Sequence, residues 1–282
     1  VLAGGMESMT MSPYLMPNAR QGYKMGSGEV IDHMFYDGLQ NPYDQNLMGY
    51  FAEQTSKKYG FTREDQDLFS IESVNRSLRA QRSGLFDDEI EPVVVKTRRN
   101  TTTISKDEEP EKCDIDKIPS MRPAFDKNGT VTAASSSSIS DGAASLIIMS
   151  ADEAESRGLK PLAIIRGHKR HSQEPEWFTT ANIGAIDKLQ KELNWNKDLV
   201  DLYEINEAFA CVTMAAMTDL DIDHKKLNIL GGACALGHPI GASAARILIT
   251  LIYALRNNKG KRGIASACNG GGEAVAIAIE IP

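Results

Sequence analysis

Four cysteines are few for 282 residues, and Cys113, Cys211, Cys234 and Cys268 lie 98, 23 and 34 positions apart. No C-x-x-C pair occurs, and His and Cys never fall at paired ligand spacing, so neither a disulfide scaffold nor a metal site is expected. The reading is of reduced thiols in a cytoplasmic protein. Basic charge is also short: 31 Lys and Arg against 38 Asp and Glu leave a net charge of −7. That argues against a nucleic-acid partner, which would require a clustered basic excess. No apolar run approaches the roughly 18 to 20 residues of a membrane span, and no basic-then-apolar signal opens the chain. The opening "VLAGGMESM" has no initiator Met and starts on an apolar, strand-like stub, as the inside of a longer gene product would.

The composition that remains, 41% hydrophobic, predicts a globular protein of one large or two modest domains. Residues 10–60 are rich in Met, Tyr, Gly, Asn and Pro and are expected to be irregular. A helix should follow: Thr62 and Asp65 form a capping box, Leu68, Ile71, Val74 and Leu78 recur at helical spacing, and Gly84 ends the run. "EPVVVKT" reads as a strand. Residues 98–128, mixed in charge and without period, read mostly as loop. Regular alternation then begins, with strands at 144–149, 161–166, 201–205 and 227–230 and helices near 182–193, 207–218 and 241–257. Two final strands, 262–268 and 274–280, are joined through "NGGGE". This is an α/β pattern closed by an antiparallel pair, and function in such sheets gathers at strand ends.

Three stretches lie there: "NEAFA" from Asn206, "GHPIG" around His238 and "CNGGG" from Cys268. Each also has an ordinary explanation. Asn206 could cap the following helix, Cys268 could be a small buried hydrophobe before a hairpin, and His238 could be a structural ring in a tight turn. Against the last stands its setting, "GGACALGHPIGASAAR", in which Gly231, Gly232, Gly237 and Gly241 free the backbone for close approach to a ligand. "CNGGG" carries more glycine than a hairpin turn requires, as if N–H groups were aimed at something. Neither stretch matches a phosphate-loop pattern. A papain-like Cys/His pair is disfavoured, because Cys268 leads into a glycine turn and another strand rather than a helix N-terminus.

Taken in order, "AGGMESM", "RPAFDKNGTVTAA", "SDGAA", "NEAFA", "GGACALGHPIGASAARI" and "CNGGGEAVAIAIE" closely resemble the thiolase family, and within it the acetoacetyl-CoA branch. The resemblance covers essentially the whole chain. It implies a layered αβαβα fold of two similar βαβαβαββ halves with a loop domain inserted in the first. On that analogy residues 162–282 form a complete C-terminal half and 10–136 the loop domain for coenzyme A binding and oligomerisation. Residues 1–9 with 137–161 would be a remnant of an N-terminal half that is mostly missing. The family's acyl-accepting cysteine lies upstream of its "AGGMESM" counterpart, and none of the four cysteines here matches it.

The resemblance further implies acetyl transfer between coenzyme A thioesters, with acetyl-CoA and acetoacetyl-CoA or another 3-ketoacyl-CoA as partners and no permanently bound cofactor. His238 would activate the nucleophilic thiol, Cys268 would act as the second acid/base, and Asn206 with His238 and the Gly270 N–H would stabilise oxyanions. Ser137 and Met48 fall at coenzyme A and acyl-pocket positions, and Lys112 and Lys117 near the nucleotide end, although solvated loop lysines would look the same. Many family members have His where this chain has Leu47, which bears on acyl preference. A homodimer or homotetramer is expected. Two alternatives remain: a longer-chain 3-ketoacyl-CoA thiolase, and a non-catalytic fragment that binds coenzyme A or a partner.

Overall fold

The computed structural model describes residues 1–282. In chain order the strands are β1 (Leu2–Ser8), β2 (Tyr14–Leu15), β3 (Ile31–Asp32), β4 (Val93–Lys96), β5 (Thr101–Ile104), β6 (Asp141–Ile147), β7 (Ile164–Ser172), β8 (Leu202–Ile205), β9 (Arg262–Asn269) and β10 (Glu273–Glu280). The helices are α1 (Met48–Tyr59), α2 (Arg63–Arg82), α3 (Glu109–Lys112), α4 (Ala151–Ser156), α5 (Ala181–Leu193), α6 (Ala210–Leu220), α7 (Ala233–Leu236) and α8 (Ile240–Asn257).

The central sheet has the order β7-β10-β9-β8, with β7/β10 and β10/β9 antiparallel and β9/β8 parallel. Strand alternation divides it cleanly. Tyr203 and Ile205 of β8, Ile264 of β9 and Ala274, Ala276 and Ala278 of β10 face α5, where they bury Ala185, Ile186 and Leu189. The alanine row lets α5 sit close to the sheet. On the other face Leu202, Ala265 and Ile279 meet Ile247, Leu251 and Leu255 of α8. Each such leucine or isoleucine, withdrawn from water, contributes on the order of 1.5 to 3 kcal/mol.

α8 is covered on its far side by the antiparallel ribbon β1/β6, with Ala3 opposite Leu146 and Gly5 opposite Ala144. The layers therefore run α5, sheet, α8, ribbon. The seating is close enough that a Cβ on Gly5 would collide with the Gly241 carbonyl oxygen, and one on Gly241 would lie 2.6 Å from the Met6 carbonyl oxygen.

The capping box forms as expected: Thr62 Oγ1 accepts from Asp65 N at 3.1 Å and Asp65 Oδ2 accepts from Thr62 N at 2.8 Å. The buried face of α2 differs from the expected stripe. Leu68 is 58% exposed, while Ser70, Ser73, Val74, Ser77 and Ala80 face inward. Small side chains are needed there because α2 lies against the backbone of 231–232, where a Cβ on Gly231 would approach the Ser73 carbonyl oxygen to 2.6 Å.

Three other expectations are corrected. Residues 10–60 contain α1, whose Phe51 and Ala52 share a core with Phe178, Phe209 and Val212. The stretch 98–128 is not simply loop: β5 pairs with β4, and α3 follows. Residues 227–230 form no strand beyond one bridge between Leu227 and Tyr203. The Asn228 side chain takes that place, its Oδ1 accepting from Ile205 N and its Nδ2 donating to Ile205 O, both at 2.9 Å. A backbone at φ 45° turns the chain away after it.

Candidate active site

The end of β8, the α7–α8 turn and the β9–β10 turn converge. Asn206 continues β8, its N–H donating to the Ser266 carbonyl of β9 at 3.0 Å. Its Nδ2 lies 3.3 Å from His238 Nε2, which arrives from 32 residues later. The other ring nitrogen, Nδ1, is 2.6 Å from Ser243 Oγ, one turn into α8. Ser243 Oγ is also 2.9 Å from the Pro239 carbonyl, to which it must donate. Its single proton is thus committed, so Nδ1–H donates to Ser243 and Nε2 keeps its lone pair. Burial, and then the positive charge of Arg246 one further turn along α8, push the ring down to about 4. His238 is therefore a neutral ring with its basic nitrogen turned towards Asn206. The Asn206 Oδ1 is buried without a partner.

Cys268, near the end of β9, packs between the α5 side of the sheet and the Phe51–Val212 cluster. Burial pushes its thiol up to about 12. Met48, the first residue of α1, borders the same cluster. A Cβ on Gly270 would come within 2.8 Å of its sulfur. Met48, distant in sequence from Cys268 and Gly270, is thus their neighbour, and Leu47 immediately precedes α1. Ser137 donates through both its N–H and its Oγ, each at 3.1 Å, to the Ala208 carbonyl. The next serine, Ser138, accepts the His238 N–H at 3.2 Å. The serine run therefore stitches the "NEAFA" and "GHPIG" turns together.

Lys112 and Lys117 lie elsewhere. Lys112 pairs with Glu109 at 3.0 Å and Lys117 with Asp114 at 2.7 Å, each within its own helical turn. Neither hydrogen-bonds to another of the site residues.

None of the four thiols is activated. Burial raises Cys211, whose S–H points to the Ala52 carbonyl, to about 12. It raises Cys234 well above the ordinary range, and burial followed by the Asp114 charge raises Cys113. A thiol nucleophile needs the opposite environment, a nearby cation or helix N-terminus.

The glycines around His238 have a different reason from the one expected. A Cβ on Gly237, where φ is +86°, would strike Ser140 Oγ, and one on Gly232 would strike the Glu207 carboxylate. The room is taken by protein, not left for a ligand. Glu207, Ser138 and Ser243 were not singled out in the sequence as site residues. The Glu207 side chain and the Ser138 carbonyl act on segments far away in the chain, and Ser243 acts on His238 five residues before it, so only the position of Glu207 inside "NEAFA" hinted at it. A separate apolar cavity of about 810 Å³ lies between the ribbon, α8 and the sheet, lined by Leu146, Ala244, Leu248, Ala267 and Ile277 among others. It includes none of the site residues.

Comparison with known proteins supplies the family. Residues 1–152 match the family model described as "Thiolase, N-terminal domain" and residues 159–281 match "Thiolase, C-terminal domain". The expectation that only a remnant of the N-terminal half is present finds no support in this, since 1–152 carries that domain's match. A probable acetyl-CoA acetyltransferase of Dictyostelium discoideum is 48% identical over 281 residues, 99% of this chain and 68% of that protein. Acetyl-CoA acetyltransferase of Chromobacterium violaceum is 43% identical over 284 residues, 100% of this chain and 72% of that one. Among solved structures, Bacillus anthracis acetyl-CoA acetyltransferase superposes with a TM-score of 0.96 at 39% identity. Human mitochondrial 3-ketoacyl-CoA thiolase does so with 0.95 at 36%; both comparisons cover 100% of this chain and 72% of the other.

Proposed function

The chain belongs to the thiolase family, and from that premise we propose that it serves the reversible transfer of an acetyl group between two coenzyme A thioesters, forming or cleaving acetoacetyl-CoA. The observation that carries this reading is the Asn206–His238 pair, with Nδ1 committed to Ser243 and Nε2 free as a base. In the first half-reaction His238 Nε2 takes the proton of the acyl-accepting thiol, the thiolate attacks the thioester carbonyl, and coenzyme A leaves as the thiol. The acceptor is assigned to none of Cys113, Cys211, Cys234 or Cys268, all of which are held in the thiol form.

In the second half-reaction the Asn206 amide, which lies beside His238, stabilises charge on the thioester oxygen. Cys268 exchanges the α-carbon proton. Its raised thiol is the form that cleavage uses directly, since the leaving enolate must be protonated, whereas condensation must first remove that proton. Gly270 N–H, beneath Met48, serves as a second oxyanion donor. Ser137 lines the coenzyme A path. Lys112 and Lys117, exposed but paired with Glu109 and Asp114, would exchange those carboxylates for phosphate.

A solved relative, an Ascaris suum thiolase in complex with coenzyme A, covers 100% of this chain at a TM-score of 0.93, which supports a coenzyme A thioester as substrate. Similarity to the human 3-ketoacyl-CoA thiolase keeps a longer acyl chain as the second reading. Thiolysis of acetoacetyl-CoA against longer 3-ketoacyl-CoA esters, using protein made from its complete coding sequence, tests both. Acetyl label from acetyl-CoA, mapped by peptide mass spectrometry, should appear on a cysteine other than these four. Absence of any acetyl-enzyme overturns the proposal, and label on Cys268 overturns its role.

A further inference from the structure

Glu207 is 1% exposed, and its carboxylate joins three separate segments. Oε2 accepts from Ser73 Oγ of α2 at 2.8 Å and from Cys234 N of α7 at 3.1 Å. Oε1 accepts from Asn228 Nδ2 at 2.8 Å. Ser73 Oγ in turn accepts the Gly232 N–H at 2.9 Å. Asn228 cannot turn over to offer an acceptor instead, because its two polar atoms also hold the N–H and carbonyl of Ile205. All three partners are donors, so the carboxylate oxygens only accept.

The consequence is a closed circuit between the two chain segments that must meet. Asn206 follows Ile205, which Asn228 holds; Asn228 is held by Glu207; and Glu207 holds Cys234 and, through Ser73, Gly232. The 232–237 segment leads directly into His238. Gly232 supplies a second, independent sign of the same arrangement. Its backbone, φ −136° and ψ −161°, is extended and open to any residue. A Cβ there would nevertheless lie within 2.5 Å of Cδ, Oε1 and Oε2 of Glu207, its three nearest atoms. Glycine is required at 232 by the carboxylate and not by the backbone.

We propose that Glu207 is a positioning residue that clamps the Gly232–Cys234 segment to the end of β8 and so sets the Asn206–His238 pair, with Gly232 as the space that the clamp occupies. Its kinetic consequence rests on the thiolase reading above; its structural consequence does not. Misplacing a catalytic pair by about 1 Å can cost on the order of 100-fold, so Gly232→Ala should lower kcat by about 10- to 100-fold with little change in KM.

The test is a double-variant cycle of Gly232→Ala, Glu207→Ala and the two combined, made in protein from the complete coding sequence. Three readouts are followed: kcat per folded molecule, KM, and the His238 ring resonances, assigned with His238→Asn. Once Glu207 is truncated the new methyl has room, so adding Gly232→Ala to Glu207→Ala should cost less than about threefold and leave the His238 signals where Glu207→Ala put them. Equal cost of Gly232→Ala in both backgrounds overturns the clamp. So does a fall in melting temperature with kcat per folded molecule and the His238 resonances unchanged, which is what a purely structural role gives. If Glu207→Ala does not fold, Gly232→Ala alone decides through the His238 resonances, since its backbone tolerates a side chain. Absence of acyl transfer in the unsubstituted protein would count against the thiolase reading, while the His238 resonances would still decide the clamp.

Discussion

Glu204→Gln should flatten the alkaline side of the stability profile, and the size of the effect follows from where Glu204 sits. Alternation along β8 places it with Leu202 on the α8 side of the sheet, opposite Ala265, at 1% exposure. Burial pushes its carboxyl up to about 8, an effect that the nearby Arg246 charge reduces without reversing. The folded protein therefore keeps a proton on Glu204 that the unfolded chain loses above about pH 4.5. Between those values unfolding releases a proton, and stability falls as pH rises by up to about 1.4 kcal/mol per unit. Glu89, raised by burial to about 7, adds to this up to that pH, and Asp107 shifts in the same direction.

The histidines oppose it at lower pH. His238, pushed down to about 4, and His224, lowered by burial and Arg76, are neutral in the folded state where the unfolded chain already binds a proton. Stability rises with pH through that range, but the contribution ends near the ordinary histidine value of about 6.5. From pH 6.5 to 8 the Glu204 contribution stands out, at about 2 kcal/mol in total. Urea unfolding followed by circular dichroism at half-unit steps from pH 6.5 to 8.5 should show Glu204→Gln gaining about that much on the unsubstituted protein, then no more. Parallel profiles with equal m-values would refute the reasoning: Glu204 would then be ionised in the fold at neutral pH.

Three further outcomes follow from the same geometry. Cys268→Ser should retain much of the acetylation from acetyl-CoA while condensation falls by roughly 10² to 10⁴, about 3 to 5.5 kcal/mol; His238→Ala should suppress acetylation itself, and equal losses in a rapid-quench comparison would show that the two do not divide the work. Ser243→Ala leaves the His238 Nδ1–H without its partner, at a cost of about 1 to 3 kcal/mol, so nitrogen NMR of the ring should show a larger share of the Nε2–H tautomer; an unchanged share would mean that Ser243 does not set it. Gly5→Ala, whose methyl would meet the Gly241 carbonyl, should destabilise by about 1 to 3 kcal/mol or more in thermal unfolding, and an unchanged melting temperature would show that β1 is not seated on α8 as described.

Local order was legible in the chain and long-range order was not. The Thr62–Asp65 capping box, the apolar face of α8 and the β9/β10 pair were visible because each is encoded within a few residues of itself. The three motifs were visible for the same reason: "NEAFA", "GHPIG" and "CNGGG" are contiguous. By contrast α1 escaped notice because much of its buried face consists of Gly49, Ala52, Thr55 and Ser56, which show no hydrophobic period, and Leu68 was misplaced because α2 packs its serines on glycine backbone. A strand at 227–230 was expected from its apolar residues, but the Asn228 side chain occupies most of that edge. Within the site, sequence determined which residue types were present, and tertiary structure decided what each could do. The Ser243 bond that leaves Nε2 basic is local, five residues along the chain, but the Asn206–His238 contact and the Glu207 carboxylate that makes Gly232 a glycine join segments tens of residues apart. Spacing along the chain carries no record of such contacts, because burial and hydrogen bonding between remote segments are fixed only when the layers pack.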